Sequence, residues 1–117
     1  MADCIFCRIA AHEIASKIVY EDDSVICFYD IHPAAPVHVL IVPKEHYTDI
    51  LELNSDKETS ARVMSAVMDA VSKVAELEGV DRDGFRLINN CGLYGGQTIP
   101  HLHFHLLGGV KLKEKLI

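Results

Sequence analysis

No apolar run in this sequence approaches the roughly 20 residues that a membrane-spanning helix needs. The start, MADCIFCRIA, has neither the basic residues nor the long apolar stretch of a secretory leader, which predicts a cytoplasmic protein. Basic residues are outnumbered, with 11 Lys and Arg against 17 Asp and Glu and a formal charge of −6. A general nucleic-acid binder, which needs a basic face, is thereby disfavoured; a protein holding one phosphorylated small molecule on a few backbone N–H groups is not. Aromatic residues are few, internal repeats and low-complexity segments are absent, and no linker divides the chain. The 117 residues, half of them apolar, therefore predict a single domain over 1–117 with one real core. Without a secretion signal, the four cysteines are weak grounds for disulfides.

Local patterns then give the elements. Ser16–Tyr20 and Val25–Tyr29 are β-rich and flank EDDS, a turn sequence, so a hairpin is expected. Cys27, inside the second of these strands, reads as a small core residue. DIHPAAP is a proline-containing connection, VHVLIV (37–42) is a β-branched strand, and KEHYTDILEL can hold a short helical turn. Ser55 and Glu58 have capping-box spacing. Beyond them Val63, Val67, Ala70, Val71 and Val74 recur at three- and four-residue steps, predicting a long amphipathic helix stopped near Gly79. DRDG turns into the strand FRLIN (85–89), and a Gly-rich loop, CGLYGGQT, leads to a last strand over 101–107. The order predicts an α+β fold: an antiparallel sheet of about five strands packed by one long helix and a short one.

That last strand carries the chemistry. In HLHFHLLGG, His101, His103 and His105 alternate with Leu102, Phe104 and Leu106, so the three imidazoles share one face. They could be polar residues on the wet face of a sheet, a catalytic metal site, or a nucleophilic site. The third reading uses an unprotonated imidazole nitrogen to attack phosphorus and form a phospho-histidine intermediate. Such a ring needs its other nitrogen held, and the leaving group needs a proton. The preceding loop suits the anion, because Gly95 and Gly96 allow close approach and the Gln97 and Thr98 N–H groups can face an oxyanion. Separately, Cys4-x-x-Cys7 is half of a tetrahedral zinc site or a redox-inert pair.

The order of HVLIVPKEH, NNCGLYGGQT and HLHFHLLGG resembles the histidine-triad (HIT) family, whose signature alternates three histidines with apolar residues. DCIFCRI, YEDD, FYDI and GGQT resemble in particular its Hint branch, the purine nucleoside phosphoramidate hydrolases, and the likeness runs from CIFCRI to Gly109. The resemblance implies His103 as the nucleophile, His105 at the phosphoryl or leaving group and assisting proton transfer, His101 as support for the nucleophile's ring, and His38 completing the network. Thr98 stands where the family has a small hydroxyl residue near the leaving group. Asn90 with the backbone around Gly96, Gln97 and Thr98 matches the phosphate contacts. Asp30 matches the acceptor of ribose hydroxyls, and Ile5, Phe6, Ile9, Phe28 and Ile31 either wall a base pocket or pack in the core. A flat apolar slot implies weak discrimination between adenine and guanine.

His46 and His101 are the candidates to complete a structural zinc site with Cys4 and Cys7, and no cofactor is expected for catalysis itself. The implied activity is hydrolysis of nucleoside 5′-phosphoramidates, such as AMP-linked amines, to a nucleoside monophosphate and an amine through a nucleotidyl-histidine. Two alternatives stay open: a dinucleoside polyphosphate hydrolase or nucleotidyltransferase, and a nucleotide-binding scaffold. The implied partners are a purine nucleotide and a second copy in a homodimer, with no nucleic acid and no membrane. After Gly109 the chain reads VKLKEKLI, without the aromatic C-terminal segment of some relatives. His32, Cys91 and Tyr94 are expected in surface or loop roles.

Overall fold

The computed structural model describes residues 3–116. Helix α1 (Ile5–Ala10) precedes strands β1 (Ile18–Glu21), β2 (Val25–Tyr29) and β3 (Val37–Pro43). Helices α2 (Ile50–Leu53) and α3 (Lys57–Leu77) follow, then β4 (Arg86–Asn89) and β5 (Phe104–Gly108). The strands form one antiparallel sheet in the order β1-β2-β3-β5-β4, bearing out the expected α+β architecture. No helix among the described residues is long and apolar enough to cross a membrane.

The sheet is buried on both faces. Val25, Cys27, Val39, Ile41, Leu102, Phe104 and Leu106 meet the Val63, Val67, Ala70, Val71 and Val74 stripe of α3. Ile26, Phe28, Leu40 and Val42 alternate to the opposite face and meet Phe6 and Ile9 of α1. Leu106 is fully buried between sheet and α3. Replacing it with Ala should cost about 2–5 kcal/mol in a denaturation titration, through lost transfer energy and the cavity left behind.

Several local expectations are corrected. Helix α1 has no counterpart in the sequence reading, because six residues are too few to display a helical period. Its N-cap is Cys4, whose Sγ accepts the Cys7 N–H at 3.4 Å. The long helix is capped by Asp56, which accepts from the Glu58 and Thr59 N–H groups, so the Ser55–Glu58 box does not form. A carboxylate at this position also meets the positive end of the helix dipole, and the Ser55 hydroxyl instead donates to the Glu52 carbonyl. Gly79 does end the helix, at φ +70°, with its N–H on the Glu76 carbonyl and that of Val80 on Ala75. The first strand lies two residues later at its start than expected, and EDDS turns on Asp22, whose carboxylate accepts from Ser24 and Val25.

Strand β5 begins at Phe104 rather than residue 101. Residues 101–103 lead into it from a bend at His101, outside the ladder and tied instead to the segment after β3: Leu102 N–H donates to the Tyr47 carbonyl at 2.7 Å.

Candidate active site

Alternation puts the three histidines on the α1 face, but that face is not wet. His101 is completely buried and His103 nearly so, which removes the reading of outward polar residues. Phe6 of α1 stands edge-on to both rings, 5.9 Å from His101 and 5.0 Å from His103 between centroids. Burial pushes the pKa of His103 below the usual imidazole value, against the pull of its hydrogen bond to the His101 carbonyl.

Hydrogen bonds fix the proton on each ring. His103 Nδ1 donates to the His101 carbonyl at 2.7 Å, which leaves Nε2 with a free lone pair. His38, on β3, lies diagonal to His105 on the same face, since His105 is opposite Leu40 in the ladder. The Ala34 N–H donates to His38 Nδ1 at 3.0 Å, so the single proton of a neutral His38 sits on Nε2. That proton is donated to His105 Nδ1 at 2.9 Å, with an Asp30 carboxylate oxygen 3.5 Å from the same Nε2. His105 must then carry its own proton on Nε2. The result is one imidazole presenting a lone pair and its neighbour presenting an N–H, with ring centroids 5.1 Å apart.

His105 is pushed down to about 4 by burial and by the nearby His103 and His38. Its ordinary value is near 6.5. As pH falls from 6.5 towards 4, the unfolded chain therefore gains a proton that the folded His105 refuses, and stability falls across that window. The thermal midpoint of wild type should drop between pH 6.5 and 4.5, and His105→Asn should drop less. Equal acid slopes in the two proteins would contradict this assignment.

His101 faces a different cluster. Its Nε2 donates to the Pro43 carbonyl at 2.8 Å, which turns the Nδ1 lone pair towards two sulfurs. Cys4 Sγ lies 3.3 Å from that Nδ1 and Cys7 Sγ 3.5 Å from it, while Cys7 Sγ is 3.2 Å from His46 Nδ1. The four ligand atoms all lie within 4.8 Å of one another. Zinc bonds of ~2.3 Å to sulfur and ~2.0–2.1 Å to nitrogen would separate tetrahedral S and N ligands by about 3.5 Å, so this donor set fits zinc. The donation to Pro43 is the outer hydrogen bond that orients a ligating histidine. Asp30, His38 and His105 also converge, but His38 Nε2 carries a proton and has no lone pair to offer a cation. The triad is thus divided between two clusters and does not form one three-histidine metal site.

Other expected residues are placed more plainly. Phe6, Ile9 and Phe28 are buried in the smaller core cluster, so packing is the role observed for them. Ile5 and Ile31 are exposed, the latter at 86%. Asp30 lies beside His38, and its other oxygen accepts the His32 N–H at 2.7 Å. In the loop, the Gly96 N–H donates to Leu93 and the Gln97 N–H to Gly92, both at 3.1 Å. The Gln97 N–H is therefore engaged within the loop and does not face an open site. Asn90 Nδ2 gives one of its two hydrogens to the Gly95 carbonyl at 2.8 Å. Thr98 is exposed and offers both an N–H and a hydroxyl. Asn89 escaped the sequence reading; its Nδ2 donates to the His103 carbonyl at 2.9 Å. Its place in the NN pair before the loop was the one available signal. Tyr94 is fully exposed, and Arg86 donates to the Lys113 carbonyl at 2.6 Å, tying the C-terminal segment to β4.

Residues 11–112 match the HIT domain family. The purine nucleoside phosphoramidase of Escherichia coli K12 is 41% identical over 114 residues, which are 97% of this chain and 93% of that protein. Among solved structures, a HIT family hydrolase from Clostridium thermocellum superposes with a TM-score of 0.93 at 49% identity, covering 100% of this chain and 99% of its own. A histidine triad protein from Clostridium difficile gives a TM-score of 0.92 at 48% identity, covering 98% and 97%.

Proposed function

The chain belongs to the HIT domain family, and from that premise we propose that it is a hydrolase of nucleoside 5′-phosphoramidates, acting through a nucleotidyl intermediate on His103. The carrying observation is the donated Nδ1 proton of His103, which leaves Nε2 as a nucleophile held in a buried, uncharged ring. The purine nucleoside phosphoramidase relative supports the substrate class.

His103 Nε2 forms a bond to the α-phosphorus as the bond from phosphorus to the amine nitrogen breaks, and the electron pair leaves with that nitrogen. His105 Nε2–H hydrogen-bonds the departing nitrogen. Neutral His105 has only this proton, and His38 cannot replace it while Ala34 occupies Nδ1, so the nitrogen draws its proton from water. The His101 carbonyl stabilises the positive ring of the adduct through Nδ1–H. Water then attacks phosphorus, His103 leaves as neutral imidazole, and the proton count is restored. Thr98, with an available N–H and hydroxyl, faces the phosphoryl oxygens. Asp30 accepts ribose hydroxyls, with Ile5 and Ile31 as the exposed apolar residues for the base. Gly96, Gln97 and Asn90 shape the phosphate loop.

Zinc on Cys4, Cys7, His46 and His101 is structural in this reading, since four protein ligands leave no position open for substrate. It fixes α1 and, through His101, the carbonyl that holds the nucleophile. Assembly as a homodimer of two 13.0 kDa chains and a cytoplasmic location, where free thiols stay reduced, belong to the same proposal; light scattering and cell fractionation test them. Incubation with AMP-linked amines and, separately, with dinucleoside polyphosphates tests the leaving group. Faster turnover of the polyphosphates would replace the phosphoramidase reading with its nearest alternative.

A further inference from the structure

The loop from Cys91 to Pro100 contains no buried residue, and Leu93 and Tyr94 at its tip are almost wholly exposed. Hydrophobic packing holds it at Ile99, which sits half-buried against the α1-side core cluster, and leaves the tip without an apolar anchor. Hydrogen bonds must fix the rest, and three of them meet on one side chain. Gln97 Oε1 accepts the Gly92 N–H at 2.9 Å. Its Nε2 donates to the Thr48 carbonyl at 2.7 Å and to the Ile99 carbonyl at 3.0 Å. Both amide hydrogens and the carbonyl are thus committed to main chain, and the Gln97 N–H is on Gly92 as well.

We propose that Gln97 is a positioning residue that closes the loop between Gly92 and Ile99, anchors it to Thr48, and thereby aims Thr98 at the reacting phosphoryl group. The proposal rests on the phosphoramidate reading and assigns Gln97 no contact with substrate. The anchor is well chosen. Thr48 follows Pro43 and Tyr47, whose carbonyls receive the His101 ring and the Leu102 N–H. One backbone segment therefore sets both the loop and the approach to β5, and places Thr98 in register with His103. Thr98 sits between Gln97 and Ile99, so loss of the Ile99 and Thr48 bonds frees it directly.

Gln97→Met keeps the length and removes all three side-chain bonds; Gln97→Glu keeps an acceptor for Gly92 but sets a carboxylate against two carbonyls. Both should lower kcat about tenfold to hundredfold, the scale of a small misplacement near the reacting atoms, while nucleoside monophosphate affinity changes less than threefold. Amide exchange at Gly92 should quicken in Gln97→Met. Thr98→Ala should cost much less in the Gln97→Met background than alone, because the hydroxyl it removes is already misplaced. A tenfold loss of monophosphate affinity would make Gln97 a phosphate ligand and overturn the proposal, as would unchanged Gly92 exchange or strictly additive effects. If wild type hydrolyses no phosphoramidate, the functional reading fails separately. The exchange and binding measurements still decide the loop assignment.

Discussion

Replacing His103 with Asn should lower phosphoramidate turnover on the order of 10⁴-fold or more, the scale seen when a covalent nucleophile is removed. Nucleoside monophosphate binding should persist, because the residues proposed for the nucleoside lie elsewhere, Ile5 in α1 and Asp30 and Ile31 in the connection between β2 and β3. The physical reason is the geometry of one ring. Its Nδ1 proton is committed to the His101 carbonyl, so Nε2 is the nitrogen left to attack. Burial keeps that nitrogen uncharged at neutral pH. Neither neighbour can substitute for it. The free nitrogen of His101 faces Cys4 and Cys7, and the outward nitrogen of His105 carries a proton. Rapid quench with a phosphoramidate, followed by mass mapping, should place the nucleotidyl group on the peptide containing His103. An adduct on another residue, or turnover surviving in His103→Asn, would end the covalent mechanism. A cellular role surviving in the same variant would favour the nucleotide-binding scaffold.

The double replacement Cys4→Ser, Cys7→Ser should abolish zinc binding, where wild type purified without chelator holds about one zinc per chain. It should also lower stability by about 5 kcal/mol or more wherever zinc exceeds its dissociation constant by four orders of magnitude, because a ligand bound only by the folded state stabilises it through mass action. The ligands come from α1, from the segment after β3 and from the approach to β5, so the metal would tie the N-terminal segment to the triad. Phosphoramidate hydrolysis at low temperature should survive both this replacement and exhaustive chelation within about tenfold, far short of the 10²–10³-fold that loss of a direct transition-state contact costs. Metal-free wild type would remove the zinc assignment. Activity that vanished with the metal in a protein still folded by circular dichroism would make the metal catalytic.

Both experiments concern residues named from sequence, yet the sequence did not contain all that is needed to assign them. The valine stripe of α3 was legible because a 3.6-residue period shows over 21 residues. Helix α1 was not, because it spans six. The cap of α3 moved from Ser55 to Asp56 because two adjacent polar residues can both serve, and only the path of the chain from α2 selects one. Gln97 was read as part of a phosphate loop, whereas the carbonyl that fixes it belongs to Thr48, 49 residues away.

By itself the sequence determined that three imidazoles share a face, that a glycine-bearing loop precedes them, and that a Cys-x-x-Cys pair stands near the start. Those facts follow from covalent spacing, since side chains two apart on an extended chain point the same way. Tertiary structure alone decided what each imidazole does. Pro43 turns His101 towards the thiols, and Ala34 fixes the proton on His38 and so on His105. A histidine's chemistry depends on which nitrogen keeps its proton, and here the Pro43 carbonyl sets it for His101, the neighbouring His101 carbonyl for His103, and the Ala34 N–H, through His38, for His105.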